Sequence, residues 1–468
     1  MRSAALRQEF RQLFTLALPL AAAQAGTQLM SVVDIAVLGR VGGRELAAAG
    51  LGNAVFFAVS IFGLGLVFGI DPMVSQAIGA GDQRRARFVM WQGVWLAVIV
   101  SAVLTLPLLC GPLVLRAIGV QRDLIPPGTT YLLIRTTGLA PWLIFLALRA
   151  YLQAHHVTRP MVMAMVIGNI YNLAADIVLV FGGGVLPAWF GPLRAIPPLG
   201  VAGAAIATVT GQVLQLGIVV AGVRAVALPA GAAVSRKPAK RELATAYRIG
   251  WPVAMQMTAE VGIFALVALL AGRLGMLDLA AHQVVISLAA FTFTVSLGVA
   301  AAGSVRVGRA VGARDQAATR LAGYAAFAGG ALVMSAGAFL FIGFPRPLAR
   351  LLTSDPAVIA VAVPLFFVAG VFQLSDGLQA VGAGVLRGAA DTKFAFLANV
   401  IGHWLVGFPI ALLLGFRMKM GILGLWWGFV AGLTVVAALL LIRFHRLAAR
   451  PIVPIEALDP RPVMTIDS

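Results

Sequence analysis

Four acidic residues stand where a chain should not tolerate them: Asp34, Asp176, Glu260 and Asp376 each lie deep within a long apolar run. A charge at the centre of a bilayer costs about 2.5–3.5 kcal/mol. Four together would cost roughly 10 kcal/mol, the scale of a whole domain's stability, so none of them can face lipid. Their neighbours are polar at helical spacing. Gln24, Thr27, Gln28, Ser31 and Asp34 follow three- and four-residue steps, and Asn169, Asn172 and Asp176 share a face by the same rule. Thr208 and Thr210 stand in a third run. In the second half of the chain Gln256 and Glu260 are one turn apart, Gln283 precedes Ser287 by one turn, and Gln379 follows Asp376. Carboxylate, amide and hydroxyl oxygens are hard ligands, suited to a small cation or a proton. Burial disfavours an ionised carboxylate and a bound cation favours it, so such a cluster can be filled and emptied by an ion gradient. The competing reading is a set of buried ion pairs. Only Arg135 and Arg149 fall within apolar runs as basic partners, so at most two of the four acids can be neutralised that way. Asp71, just before Pro72, is a fifth acid and receives no role.

The elements that must carry these residues are membrane helices. The chain has 468 residues, is 60% hydrophobic and 11% charged, against about 25% charged in soluble proteins. Apolar runs long enough to cross a bilayer fall near 13–38, 46–78, 88–110, 128–153, 161–182 and 199–223. They resume near 246–271, 279–306, 321–343, 357–387, 394–416 and 421–444. The sequence therefore predicts an all-α integral membrane protein of twelve transmembrane helices. The first run is too long for a signal-peptide core and is a retained helix. Counted on alternate sides of these spans, Lys and Arg number 23 on the side of the N-terminus and 10 on the other. The positive-inside rule then places both termini in the cytoplasm, as an even number of spans also requires. For a bacterial chain that is the inner membrane.

A shift of 233 positions superposes the two halves. Gly39-Arg40-Val41-Gly42 falls on Gly272-Arg273-Leu274-Gly275, and Gly79-Ala80-Gly81-Asp82-Gln83 on Gly312-Ala313-Arg314-Asp315-Gln316. Pro19 lands on Pro252. The expected organisation is two six-helix bundles in a parallel pseudo-twofold repeat. Residues 1–228 form the N-terminal lobe, 229–241 a cytoplasmic linker, 242–450 the C-terminal lobe and 451–468 a disordered cytoplasmic tail. Two such bundles enclose a cavity suited to alternating access, which favours a transporter over a channel.

Other function classes are excluded or weakened. The net charge of +18 reads as loop charges that hold orientation rather than a nucleic-acid surface. Cys110 is the single cysteine, so no disulfide or cysteine cluster can form within the chain. No G-x-x-x-x-G-K-[ST] segment supports ATP-driven transport, and no H-x-x-x-H or serine-nucleophile motif in the spans supports a membrane enzyme. No cofactor is expected. His282 reads as a packing residue, His155 and His156 as solvated loop residues, and His403 as opposite Asn169 between the repeats.

The segments MSVVDIAVLGRVGGRELAAAGLG (30–52), DPMVSQAIGAGD (71–82), AEVGIFALVALLAGRLG (259–275), LAAHQ (279–283) and FQLSDGLQAVGAGVLRGAADTK (372–393) resemble the multidrug and toxic compound extrusion, or MATE, transporters over essentially the whole chain. Acidic residues in helices seven and ten, here Glu260 and Asp376, resemble the NorM-like branch. The resemblance implies a secondary antiporter that exports amphiphilic, often cationic, organic compounds in exchange for Na+ or H+. It implies an N-lobe cation site at Asp34, Asn172, Asp176 and Thr208, and a C-lobe cation or substrate site at Glu260 and Asp376, beside which Gln256 and Gln283 stand. Pro19 matches a first-helix hinge. Asp71-Pro72 departs from the Thr/Ser-Pro of bacterial members. The expected partners are small organic substrates and membrane lipids, with no nucleic acid, and the expected unit is a monomer. The alternative function is a lipid-linked saccharide flippase of related architecture, which the anionic character of the deep charges argues against.

Overall fold

The structure, a computed structural model, describes residues 2–117, 119–228 and 234–455. Among them are twelve helices long and apolar enough to cross a membrane. In the first lobe these are α1 (Arg2–Val41), α2 (Gly43–Gly79), α3 (Gln83–Ala117), α4 (Ile125–Ala154), α5 (Arg159–Phe181) and α6 (Val201–Ala225). In the second they are α7 (Lys240–Leu274), α8 (Met276–Gly312), α9 (Gln316–Gly343), α10 (Pro356–Gly388), α11 (Thr392–Arg417) and α12 (Gly421–Ala448). Several are longer than the roughly 20 residues a crossing needs and project beyond the apolar layer. Breaks inside them have local causes. α2 is interrupted at Phe68–Gly69, next to Pro72, whose missing amide cannot continue the ladder. α11 is wound as a π-helix over Val400–Gly407, a distortion common near functional sites.

The sequence repeat has a structural counterpart. Asp82 caps α3 by accepting the Arg85 amide at 2.8 Å, and Asp315 caps α9 by accepting the Ala318 amide at 2.9 Å. The residue before each cap is left-handed, Gly81 in one copy and Arg314 in the other. The lobes also meet symmetrically. A Cβ at Gly79 would strike the Arg309 carbonyl oxygen, and one at Gly312 would strike that of Gln76. Residues 76 and 309 are themselves repeat mates, so each lobe contributes the same glycine to the same surface of the other. Reciprocal contact of this kind is the mark of a twofold relation.

All the close contacts between lobes lie toward one end of the molecule. The first half of α1 packs on α8 and α9, with Ala17 and Ala21 against Gly298 and Leu13 against Gly329. The second half of α2 packs on the first half of α7, where Gly65 meets Ala254 and Phe62 sets its ring edge on Trp251 at 5.3 Å. Polar contacts reinforce that end. Glu9 pairs with Arg306, Arg85 with Glu242 at 2.9 Å and Asp71 with Arg387 at 3.6 Å. By chain direction this is the end where α1 and α7 begin.

Two expectations about connecting segments change. Residues 229–233 of the linker lie outside the described residues, but the rest of it is fastened to α3. Gln92 donates to the Lys237 carbonyl and accepts from the Ala239 amide, and Trp95 donates to the Arg236 carbonyl. The second lobe's first helix accordingly starts at Lys240. Of the tail expected to be disordered, Pro451–Ile455 are described and are packed at the lobe junction. There the Ile455 amide donates to Gln76 Oε1 at 2.9 Å while Gln76 Nε2 donates to the Gly388 carbonyl. Residues 456–468 lie outside the described residues.

Candidate cation and substrate sites in the two lobes

In the N-terminal lobe, α1, α5 and α6 bring Asp34, Asn172, Asp176 and Thr208 into one buried pocket. Each of these residues is less than a tenth exposed, and Asn172 and Asp176 are fully buried. The Thr208 hydroxyl donates to Asp34 Oδ2 at 3.1 Å. Asp176 and the Asn172 amide lie beside the Asp34 carboxylate. Yet Asp34 Oδ1, both Asp176 oxygens and both polar atoms of the Asn172 amide have no hydrogen-bond partner among the described residues. Buried polar atoms are nearly always satisfied, and two adjacent carboxylates repel unless a proton or cation lies between them. The pocket thus presents several oxygen and amide groups that the protein itself leaves without partners.

A cation already faces this pocket. Arg135 on α4 lies over the Phe56 ring at 4.6 Å from its centre, and its charge acts on Asp34. No ion pair closes between Arg135 and either acid, and its Nε and Nη1 are unpartnered among the described residues. Arg149, the other candidate neutraliser, belongs elsewhere. Its charge acts on Asp71 and Arg387, and it lies over Phe68. Of the four deep acids, then, only Asp34 and its neighbour Asp176 have an arginine near them. Asp71 acquires a place that sequence left blank, as the N-lobe half of a buried pair with Arg387 of the other lobe.

In the C-terminal lobe the arrangement differs. Glu260 on α7 accepts from Gln379 on α10 at 3.2 Å and from Asn399 on α11 at 3.3 Å, both at Oε2. Asp376, 4% exposed, lies close enough for its charge to interact with Glu260. It accepts no hydrogen bond from any described residue. His403, one turn beyond Asn399, is buried, with Nδ1 3.3 Å from the Asn399 carbonyl oxygen and Nε2 unpartnered. Aromatic rings fill the same lobe, with Phe264 stacked on Phe429 at 4.6 Å and Phe372 edge-on to Trp426 at 5.2 Å. His282 is a packing residue that accepts the Trp426 indole N–H at 3.2 Å.

Gln256 is buried on α7, one turn before Glu260, whereas Gln283 is exposed and makes no side-chain hydrogen bond among the described residues. Gln283 shares a face with Ser287, Phe291 and Gly298 by steps of four, four and seven residues, and Gly298 is the residue that touches α1. By helical spacing Gln283 continues the face of α8 that meets the other lobe, and no contact ties its side chain to Glu260 among the described residues. α1 repeats the pattern. Leu13, Ala17 and Ala21 contact the second lobe, and the same face continues through Gln24, Gln28 and Ser31, of which Gln28 and Ser31 are exposed. These exposed polar stripes continue the contacting faces of α1 and α8 past the contact end. Pro19 lies within the unbroken α1 helix between contact face and stripe.

Asn399 and Arg135 are the members of these sites that sequence reasoning did not place. The available signals were weak: Asn399 and His403 form a polar pair at i, i+4 on an apolar helix, and Arg135 is a rare intramembrane cation. His155, expected to be solvated, is half-buried against Tyr151, with its Nδ1 3.0 Å from the Tyr151 carbonyl oxygen.

Comparison with known proteins gives a consistent picture. The MatE family model matches residues 19–178 and 252–413, two segments whose starts are 233 positions apart, the offset of the internal repeat. The chain is 36% identical over 466 residues to the probable multidrug resistance protein NorM of Bradyrhizobium diazoefficiens, covering 95% of each chain. It is 32% identical to the multidrug resistance protein NorM of Aliivibrio fischeri, over 95% of this chain and 96% of that one. Its fold superposes on the crystal structure of the eukaryotic MATE transporter AtDTX14 with a TM-score of 0.82, 22% identity, and coverage of 95% and 98%.

Proposed function

Because the chain belongs to the MatE family of secondary transporters, we propose that it is a multidrug efflux antiporter that exchanges amphiphilic organic cations for inward-moving Na+ or H+. The observation that carries the reading is the set of unpartnered polar atoms in the Asp34, Asn172 and Asp176 pocket, which the coupling cation would satisfy. With the Lys- and Arg-rich side in the cytoplasm of the bacterial inner membrane, both termini are inside and the closed end is cytoplasmic. A cleft between the lobes beyond that end would then open outward.

α1 links the two events of the cycle. Its outer half carries Asp34 into the N-lobe pocket, and its inner half carries the contact with the second lobe. Pro19 stands between them and leaves the Thr15 carbonyl without a helical donor, so bending is cheapest there. A cation that binds Asp34 and Asp176 more tightly in one arrangement of α1 than in another shifts the molecule toward it, by no more than that difference in affinity. The organic cation would use Asp376, a deep carboxylate that accepts no hydrogen bond from any described residue. Each chain carries both lobes and works as a monomer. The flippase alternative is disfavoured because the deep charges are anionic, which would repel a pyrophosphate headgroup.

Counterflow of tetraphenylphosphonium from proteoliposomes, with a Na+ jump and a pH jump applied separately, tests the proposal. Efflux should accelerate under at least one jump and lose that response in Asp34→Asn. Equal efflux with and without both gradients would overturn the antiport reading.

A further inference from the structure

At the closed end, a cavity of about 750 Å³ lies between the lobes on the side of α1 away from α2's contact with α7. One wall is α1, which contributes Arg11, Gln12 and Thr15. The opposite wall is α8, which contributes Arg306 and Arg309, and His156 closes the rim from the α4–α5 loop. Arg306 is paired with Glu9, but Arg11 and Arg309 have no carboxylate partner among the described residues, and no carboxylate lines the cavity. The side-chain inventory is therefore two unpaired guanidinium groups contributed by different lobes, with the Gln8 and Gln12 amides beside them, while Thr15 donates its hydroxyl to the Arg11 carbonyl.

The field in the cavity registers on its rim. His156 keeps part of its surface open, yet its imidazole pKa is pushed down to about 4, first by the surrounding protein and then by the charges of Arg309, Arg306 and His155. His156 also holds a left-handed backbone, with φ 59°, which turns the loop into the cavity mouth. A space this large and this positive, at the level where α1 and α8 leave the apolar layer, has few neutral occupants. Paired arginines favour a tetrahedral oxyanion, which they can grip through two N–H groups each. Basic pockets between membrane helices bind anionic headgroups in the same way.

We infer that this cavity is a binding site for a phosphate group, carried by an anionic phospholipid or free in solution, that bridges Arg11 of the first lobe and Arg309 of the second. The occupant holds α1 against α8, so it favours the conformation closed at this end. The inference does not rest on the antiport reading, because it concerns binding at a site distant from the four deep acids.

The test uses full-length protein and three probes: phosphatidylglycerol, phosphatidylcholine and inorganic phosphate. Retention of each lipid is measured by native mass spectrometry, and phosphate binding by thermal shift. Phosphatidylglycerol should be retained in preference to phosphatidylcholine. Its apparent affinity should fall roughly fivefold for each of Arg11→Gln and Arg309→Gln, with Arg309→Lys retaining most of it and Arg116→Gln at the far end unaffected. Binding of inorganic phosphate without lipid preference would support the site with a soluble occupant. In protein labelled at histidine, the His156 titration should move upward from its low value when phosphate saturates, because an anion then offsets Arg306 and Arg309. Phosphatidylglycerol and phosphate binding undiminished in the double Arg11→Gln, Arg309→Gln variant would overturn the inference. So would an unmoved His156 titration in the wild-type protein, a readout that requires no variant to fold.

Discussion

The two lobes descend from one repeat, yet their buried acids are set in opposite electrostatic surroundings. In the first lobe Asp34 and Asp176 lie side by side with one hydroxyl donor, and an arginine stands near without closing a pair. In the second, Glu260 is met by two amide donors, from Gln379 and Asn399, and Asp376, close enough to interact with Glu260, accepts from neither. A carboxylate that accepts amide hydrogens is stabilised as an anion by the protein itself. A pair of carboxylates with a single hydroxyl donor leaves most of its oxygens to what arrives from solution. We therefore propose that the exchangeable small cation is taken up in the first lobe and that Asp376, which has no donor, is left for the organic cation in the second.

The largest effect should come from removing a member of the unsatisfied pair. Asp34→Asn and Asp176→Asn should each reduce ion-driven efflux to the background of empty liposomes, since a direct ligand is worth more than the 10–100-fold typical of its supporting partners. Stability should move the other way. An amide in place of one carboxylate removes a repulsion and supplies a donor, so the melting temperature should hold or rise. Glu260→Gln and Asp376→Asn should also abolish coupled efflux, but Glu260→Gln turns an acceptor of two N–H bonds into an amide and should lower the melting temperature. If both lobes' variants changed stability in the same direction, the contrast between the sites would be lost.

A smaller change separates the lobes more sharply. Asn399→Leu removes one donor from Glu260 and leaves every first-lobe residue untouched. A hydrogen bond to a charged group is worth about 1.5–3 kcal/mol, so transport of the organic cation should fall about tenfold or more at limiting substrate. The half-saturating concentration of the coupling ion should stay at its wild-type value. A shift in that concentration as large as the loss of transport would place the coupling ion in the second lobe instead.

How much of this could be read beforehand depends on which physical relation was needed. Helical periodicity ties Asn172 to Asp176 and Gln256 to Glu260, because residues on one helix share a face by geometry alone. The 233-residue offset carries the twofold relation, and with it the reciprocal seats of Gly79 and Gly312. Periodicity does not say which helix faces which. Gln283 therefore looked like a companion of Glu260, though no hydrogen bond joins the two among the described residues. Asn399, 139 positions from Glu260, carried no sign of its partner. Arg135 is a long side chain whose head lies away from its own backbone position, so its place near a helix end hid its approach to Asp34. Asp71 pairs across the lobe junction with Arg387, a relation that no pattern within either half contains. The docked residues Pro451–Ile455 are apolar but head a proline-rich polar segment that looked like a free tail, because a surface that captures a backbone amide through one glutamine leaves no mark on composition.

Arg135 provides the finest discrimination. Its guanidinium opposes any cation that enters the Asp34 and Asp176 pocket. At separations beyond an ion pair and an effective dielectric near 20, such an opposition amounts to about 1–2 kcal/mol after screening. Arg135→Gln should therefore tighten coupling-ion affinity by about threefold to tenfold, read as a lower half-saturating ion concentration for efflux. Maximal efflux should fall at the same time if ion release becomes limiting. Were Arg135 a structural partner that holds Asp34 in place, the same variant would weaken ion affinity and lower the melting temperature together. The sign of the change in affinity thus decides whether the arginine competes with the cation or builds its site.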